Sequence, residues 1–501
     1  MTLAPQHRAP IGRATLGDQL RRHARTRGAD VAVVAYAPSR TETTYAQLDD
    51  RACRFARLLL AASVGRGDVV AVMARNEVDV IALYYGALKI GAALTVVNAV
   101  FGEREVARQL ASARPAAVFA APEFAPLLPA SAVFLGPDLN AALAAQEPGE
   151  PAVDVDEHDV AMLVYTSGTE AAPKGVLIPH RNYLISTAPA WSWGLQTGPE
   201  DTWLFVMPFS TIAGLGSMTT LTMMGATLVL PGTADPLEVI ARERVTVIAQ
   251  TPTFYLALAA APGFGPDTVG SVRRNMTYGG QIAPAAVSAW AAAAPQVRWG
   301  TYWGQSELSQ LGTVGWFATL DDIPGGGDPS WIGKPVSHLE VRVVDAEGND
   351  AEVGELICRS PSVMLGYHDD PERTAAALAS GWLHTGDIVR VDAEGNLFFQ
   401  DRLTDMIKSG GMNVSSQEVE RVLHGHPDVL RAAVVGRPDP YWSEAVTAYV
   451  VPRPDAEPDP EGLIAFCRER LAGFKTPKAV HLMAALPVDV QGKVLKRELR
   501  R

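Results

Sequence analysis

The chain has 501 residues, long for one domain, and its 48% hydrophobic and 20% charged content is ordinary for a soluble globular protein, not a disordered or fibrous one. Lysine and arginine number 43 against 55 acidic residues, a net charge of -12, which argues against general nucleic-acid binding while leaving room for a local basic patch that holds a nucleotide. Cys53, Cys358 and Cys467 are widely spaced and form no metal-ligand pattern, so a disulfide framework or a zinc site is not expected.

Met1 to Arg13 has no apolar signal core, so the expected setting is a reducing cytoplasm. Thr15 to Leu60 reads as two amphipathic helices around a short strand, with Leu48, Ala52, Phe55, Leu58 and Leu59 at helical spacing in the second. Asp68 to Met73 reads as an apolar strand, followed by a helix, a turn at Gly91 and a strand from Ala93 to Val97. Val80 to Val100 is largely apolar, but Lys89 interrupts it, and its glycines and tyrosines suit a buried helix and a strand better than a membrane span.

The alternation returns at Ala116 to Ala120, Ala161 to Tyr165, Asp201 to Met207, Ala226 to Leu230 and Val245 to Ile248. Repeated strand–helix–strand units predict an α/β fold, a large parallel-sheet core with helices on both faces. Beyond Gly333 the shorter strands Leu339 to Val344 and Glu355 to Arg359 predict a β-rich subdomain over about 333–400. Near Asp401-Arg402 the chain leaves a strand, and the remainder, with an acidic proline-rich insert from Pro452 to Pro460, reads as a compact α+β domain. The expected division is therefore 1–401 and 402–501.

The most informative segment is Tyr165-Thr166-Ser167-Gly168-Thr169-Glu170-Ala171-Ala172-Pro173-Lys174-Gly175. Its hydroxyls can donate to phosphate oxygens, Gly168 and Gly175 let backbone amides approach, and Lys174 supplies a point charge. The common P-loop needs Gly-Lys-Ser/Thr, whereas Lys174 lies between Pro173 and Gly175, so a GTPase-like or kinase-like reading loses its support. Alone, the segment also fits a Ser/Thr/Gly surface loop, the less favoured of the two readings.

Downstream stand Gly279-Gly280-Gln281-Ile282-Ala283-Pro284, Trp303-Gly304-Gln305-Ser306-Glu307, Gly333-Lys334-Pro335, Gly354-Glu355-Leu356, Met364-Leu365-Gly366-Tyr367, Trp382-Leu383-His384-Thr385-Gly386-Asp387, the stretch from Asp401 to Val414, and Gln491-Gly492-Lys493. In this order, with the loop, they resemble the motifs of the adenylate-forming superfamily: acyl-CoA synthetases, adenylation domains of nonribosomal peptide synthetases, and luciferases. The resemblance runs from about Thr44-Tyr45 to the C-terminus. It implies a large N-terminal α/β domain and a small mobile α+β lid that turns about a hinge at Thr404. The implied activity is ATP-dependent conversion of a carboxylic acid to acyl-AMP with release of pyrophosphate, then transfer to CoA, with ATP, Mg2+ and CoA required. Glu170 and Ala171 depart from the usual Thr-Gly, Trp303 from tyrosine, and Thr404 from the Asp or Lys that many relatives carry.

By this resemblance Thr166, Ser167, Gly168, Thr169 and Lys174 hold phosphates, and Gly280, Gln281, Trp303, Gly304 and Ser306 complete the nucleotide site, Trp303 by stacking on adenine. Asp387 accepts the ribose hydroxyls and Arg402 donates to the same sugar. Glu307 binds Mg2+. Lys493 brings its ammonium to the substrate carboxylate and the phosphates, and with Lys174 and Glu307 it meets the demand for positive charge and alignment between two anions. The acid pocket takes Phe209, Ser210, Thr211, Gly214, Tyr255, Tyr278, Gly279, Gly280, Gln281, Gln305 and Gln310. CoA falls to Lys408, Gly410, Gly411, Lys475 and Lys478.

Read without the resemblance, Glu307 is also a helix-start carboxylate, Trp303 a core ring, Asp387 and Arg402 turn residues, Lys475 and Lys478 a solvated loop, and Lys493 part of a solvated basic tail with Lys496, Arg497, Arg500 and Arg501. Pro208-Phe209-Ser210-Thr211 puts two small hydroxyls into an apolar wall, and three glutamines add polar groups. The lack of an aspartate in Ser210 to Gly216 weighs against an amino-acid substrate. The expected acid is medium-sized and apolar, aromatic or alicyclic, with some polar substitution. A carrier-protein phosphopantetheine or another nucleophile is the alternative acceptor, a nucleotide binder without turnover or a luciferase-like oxidation the more distant readings. Neither nucleic acid nor a membrane span is expected, and a homodimer is left open.

Overall fold

The computed structural model describes residues 14–166, 174–409, 412–488 and 494–500. They form two compact units, one of Met1–Glu340 with Cys358–Leu383 and one of Val341–Ile357 with His384–Arg501. The fold is mixed α/β, with parallel sheets and helices in the larger unit.

The larger unit begins with helix Leu16–Thr26, whose N-cap Thr15 forms a capping box with Asp18. Helix Tyr45–Ala61 starts on Thr44 with a second capping box, through Gln47. Between them lie two antiparallel strands, Val31–Ala35 and Thr41–Thr44, where one was expected. The extra strand is all polar, Thr-Glu-Thr-Thr, and leaves its first two residues exposed, so no apolar alternation marks it in the sequence.

One sheet of this unit runs in the order Gly366–Tyr367, Lys174–Pro179, Val160–Thr166, Ala93–Val96, Val69–Met73, Ala117–Ala120, Val133–Phe134. Val69–Met73 pairs in parallel with Ala93–Val96, with helix Val78–Lys89 as the crossover. The second sheet runs Trp331–Pro335, Thr313–Phe317, Arg298–Trp303, Arg274–Thr277, Val247–Gln250, Thr202–Leu204, Thr227–Leu230, Val31–Ala35, Thr41–Thr44. Its central pairings are parallel, and the pairings toward both ends are antiparallel.

In the smaller unit, the long hairpin Val429–Asp439 and Ser443–Pro452 pairs with Ile407–Ser409 and Ala479–Leu482. Helices Ser416–His424 and Pro460–Arg468 bury Val419, Leu423, Leu463, Ile464 and Cys467 against it.

Every residue of helix Val78–Lys89 from Val80 onward is buried, as a helix apolar on all sides must be. Among the described residues no helix is long and apolar enough to cross a membrane. Lys89 ends the helix inside the protein, its Nζ 2.9 Å from Asp49 Oδ1 and 2.6 Å from Glu150 Oε2. Burial works against its charge, but Asp49, Cys53 and Glu150 outweigh burial and hold its pKa above the usual lysine range. Asp49, Cys53 and Glu150 approach one another closely enough to ligate a metal, yet the ammonium of Lys89 already supplies the positive charge there.

Replacing Lys89 with Met should therefore remove the ammonium between two facing carboxylates, with Arg21, 3.6 Å from Glu150 Oε1, the cation still at hand. We expect a loss of about 3–5 kcal/mol in the stability of this unit, measured by urea unfolding, and partial recovery when Asp49→Asn and Glu150→Gln are added.

Candidate functional site

Strands Val160–Thr166 and Lys174–Pro179 run antiparallel, with Tyr165 opposite Gly175 and Thr166 opposite Lys174. The two feet of the phosphate-loop motif are thus a paired ladder. Ser167, Gly168 and Thr169 lie outside the described residues, as do Glu170 and Ala171. At the foot, Gly175 is packed closely, since a Cβ there would sit 2.9 Å from Leu163 Cδ1.

Lys174 Nζ stands 5.6 Å from the centroid of the Tyr367 ring, within cation–π range. The Tyr367 hydroxyl donates to Glu307 Oε1 at 2.8 Å. Glu307 lies in the short turn Ser306–Leu308, where its carbonyl accepts the Met364 N–H at 2.8 Å. Lys174 and Glu307, far apart in sequence, are brought to one aromatic side chain. A half-buried carboxylate such as Glu307 is a hard oxygen donor of the kind Mg2+ takes together with nucleotide phosphates, so this residue fits that ion.

Gly304 has no room for a side chain: a Cβ would collide with the backbone carbonyl of Gln310. The turn from Gln305 to Gln310 closes through Gln310 N–H to Gln305 O at 3.0 Å, with Ser309 at φ 51° and Gln310 at φ 98°. Ser306 is buried, and Trp303 is buried with its ring packed against Gly312. Gly280 is exposed, Gln281 partly exposed.

Several acid-pocket expectations change. Thr211 spends its hydroxyl locally: it donates to Pro208 O at 3.0 Å and accepts the Gly214 N–H at 3.1 Å as the N-cap of helix Ile212–Met224. Gly214 is pressed against Pro208 O, where any Cβ would collide. Tyr255 is a core residue. Its Oη lies 2.8 Å from both the Ile248 and Met276 carbonyl oxygens and accepts the Met276 N–H at 3.1 Å, and its ring packs on Trp290 and Trp299. Phe209 is buried against Phe205, and Tyr278 lies 5.0 Å from Tyr302, centroid to centroid. Gly279 sits at φ 69°, a turn conformation that suits glycine. Ser210 Oγ, Gln305 Nε2 and Gln310 Oε1 are buried without a hydrogen-bond partner among the described residues, while Gln310 Nε2 donates to Ser217 Oγ at 2.6 Å. Tyr183, absent from the sequence reading, adds a further buried hydroxyl beside Gly216.

In the smaller unit Asp387 and Arg402 are directly opposite on paired strands, with Arg402 Nε 2.8 Å from Asp387 Oδ1. Asp387 is buried and Arg402 partly exposed. Lys408 is exposed, its backbone N–H held by Glu444. Thr404 is exposed too, and its carbonyl accepts from Arg500, which also pairs with Asp405 at 2.6 Å. Gly410, Gly411 and Lys493 lie outside the described residues.

Lys475 is committed to both oxygens of Glu418, at 2.7 Å each, so it is not the loose surface lysine that a phosphate contact requires. Lys478 lies over the Trp442 ring, 4.6 Å from its centroid, beside a hollow of about 250 Å³ that Arg468 and Thr476 also line. Burial, then Arg468, lower its pKa below the usual lysine value. The sequence reading missed Arg468, Tyr441 and Trp442; the aromatic pair in the hairpin turn was its only visible signal. Lys496 also departs from the solvated-tail reading: it is held by Glu420 Oε1 at 2.8 Å and by the Ser416 hydroxyl.

A family model described as AMP-binding enzyme matches residues 20–368, and one described as AMP-binding enzyme C-terminal domain matches residues 418–493. A feruloyl-CoA synthase of Amycolatopsis sp is 33% identical, over 92% of this chain and 94% of that protein. The fatty acid–[acyl-carrier-protein] ligase ScoC of Streptomyces coeruleorubidus is 31% identical, over 91% of each. The crystal structure of the anthranilate CoA ligase AuaEII in complex with anthranoyl-AMP superposes with a TM-score of 0.86 at 27% identity, covering 97% of both chains.

Gly304→Ala tests the closed turn directly. Because the collision is with backbone, we expect a lowered thermal midpoint and a stability loss of about 1–3 kcal/mol, read by differential scanning calorimetry. Alanine at exposed Gly280 should cost less.

Proposed function

Because the chain belongs to the AMP-binding enzymes of the adenylate-forming superfamily, we propose how its own residues divide that family's chemistry. The enzyme is an AMP-forming acid–thiol ligase that activates a carboxylic acid as acyl-AMP and transfers the acyl group to CoA. The observation that supports the residue assignment is the junction of Lys174, Tyr367 and Glu307, where a lysine and a carboxylate meet one aromatic side chain.

Attack of a carboxylate on the α-phosphate of ATP forces two anions together, so the site must supply positive charge in fixed positions. Lys174 serves the departing pyrophosphate side with Thr166 and the loop hydroxyls. Lys493 serves the carboxylate and α-phosphate, carried there by a lid of residues 402–501 that turns about Thr404. Glu307 would hold Mg2+, which would supply charge neutralisation at the triphosphate. Asp387 accepts from the ribose, and Arg402 fixes its orientation through the 2.8 Å contact.

For the second step Lys408, Gly410 and Gly411 line the path of the pantetheine arm. Lys478, Arg468 and the Trp442 ring take the nucleotide end of CoA, the ring by stacking and the cations by pairing with phosphate. Lys475 supports this surface through Glu418. The acid we propose is aromatic or alicyclic with a hydrogen-bonding substituent, on the strength of the buried unpartnered polar atoms of Ser210, Gln305 and Gln310. Relatives named for feruloyl and anthranilate activation stand on the same side. The setting is the cytoplasm. A carrier-protein thiol as acceptor is the second reading, favoured by the likeness to ScoC.

A panel of fatty, aromatic and cyclic acids, assayed for pyrophosphate release with MgATP and with or without CoA, separates these readings. We expect substituted aromatic or alicyclic acids to turn over to acyl-CoA, identified by mass. Product that stops at acyl-AMP would move the acceptor to a carrier protein. Lys493→Ala should slow adenylation at least about 100-fold while still converting supplied acyl-AMP and CoA, and equal loss of both steps would remove Lys493 from its assigned role.

A further inference from the structure

We propose that Tyr367 is the positioning residue that couples the metal-binding carboxylate to the phosphate lysine, its hydroxyl orienting Glu307 and its ring face seating Lys174. The proposal rests on the assignment of Glu307 to Mg2+ and Lys174 to the ATP phosphates.

The backbone of Tyr367 is fixed before its side chain reaches either partner. Gly366–Tyr367 forms an edge strand on Lys174–Pro179, with Gly366 opposite Leu177 and Tyr367 opposite Val176. On either side, Leu365 N–H donates to Leu177 O at 2.9 Å and His368 N–H to Gly175 O at 2.7 Å. The Tyr367 N–H donates to Thr374 Oγ1 at 2.9 Å, and Thr374 in turn donates to Asp370 O at 2.7 Å. Gly366 sits at φ 153° with Thr374 so near that a Cβ would come 2.8 Å from its Cγ2. The segment therefore has one available position, stitched to the strand that leaves the phosphate loop.

From that position the hydroxyl reaches Glu307 Oε1 at 2.8 Å, while Met364 N–H holds the backbone of the same glutamate. Among the described residues Tyr367 is the hydrogen-bond partner of the Glu307 carboxylate. A phenolic donor on one oxygen fixes the carboxylate plane and leaves Oε2 outside the bond, which is how outer partners orient a metal ligand. The ring meanwhile offers its negative face to Lys174 Nζ at 5.6 Å. One side chain thus addresses both charges through two separable parts, an oxygen and a π-face.

The separation makes the test. Tyr367→Phe keeps the ring and removes the hydroxyl; Tyr367→Leu removes both. Mn2+ binding in the presence of α,β-methylene-ATP is followed by electron paramagnetic resonance, and metal-free binding of the analogue by calorimetry. For Tyr367→Phe we expect Mn2+ affinity to fall about tenfold, with metal-free nucleotide affinity within about twofold of the parent. For Tyr367→Leu we expect the same loss of Mn2+ affinity and, in addition, nucleotide affinity reduced about threefold to tenfold. Unchanged Mn2+ affinity in Tyr367→Phe, with Glu307→Gln losing it, overturns the positioning role alone. Unchanged Mn2+ affinity in Glu307→Gln itself removes the metal assignment and the proposal with it. Parallel losses of melting temperature and of both affinities in Phe and Leu variants alike would mark Tyr367 as structural only.

Discussion

Asn182 governs the geometry of the larger unit's site. Its side chain is buried, and its amide Nδ2 is shared among Ser309 Oγ at 2.9 Å and the carbonyl oxygens of Ser362 and Val363 at 3.0 Å. Ser309 Oγ donates onward to Ser362 O at 2.7 Å, and Thr187 donates to Ser309 O at 3.2 Å. Three distant segments meet here: the helical stretch at 180–187, the turn that follows Glu307, and the loop that leads to Gly366–Tyr367. Two left-handed non-glycine residues in a row, Ser309 and Gln310, each cost about 1–3 kcal/mol. Buried bonds with no water to replace them offset that cost. Asn182 thus ties the turn after Glu307 to the loop that leads to Tyr367, and the same turn lets Gln310 reach Ser217.

The same rule, that a buried polar group must find a partner, accounts for charges that look misplaced in the sequence. Lys89 closes an otherwise apolar helix and would be untenable in the core without Asp49 and Glu150. Lys496 is anchored in the smaller unit by Glu420 and Ser416, with Asp401 adding to the favourable field. It lies three residues beyond Lys493, the residue proposed above for adenylation. Arg500 adds a second tether, to Thr404 O and Asp405. Thr404 contributes its backbone carbonyl to this tether and Asp405 contributes the ion pair.

What could be read without coordinates follows from which forces are local. The strands at 69–73 and 93–96 were legible to within a residue, and a helix was expected between them, because apolar runs and a glycine turn announce them. Thr41–Thr44 was not, because its pairing with Val31–Ala35, not its composition, makes it a strand. The resemblance of the motifs to those of a known superfamily named Lys174, Glu307, Asp387 and Arg402 as candidates, which composition and spacing alone left open to bland readings. Side-chain direction was beyond reach: Thr211 turned out to cap a helix and Tyr255 to bridge two buried strands. Lys475 finds its carboxylate on a helix remote in sequence, and no spacing rule foretells such a pair. Tyr367 belonged to a recognised motif, but its partner came from another sheet's end.

The three cysteines, spread over both units, are all reduced and buried. Burial pushes the Cys53 thiol up to about 12 and the Cys467 thiol up to about 11, so neither offers thiolate at neutral pH. Toward a maleimide or iodoacetamide dye the folded protein is therefore silent. A single cysteine introduced at an exposed position of the smaller unit such as Tyr441, together with one on the larger unit at Trp193, would carry the fluorophore. Energy transfer between them would then report on the separation of the two units, with the native thiols left in the chain.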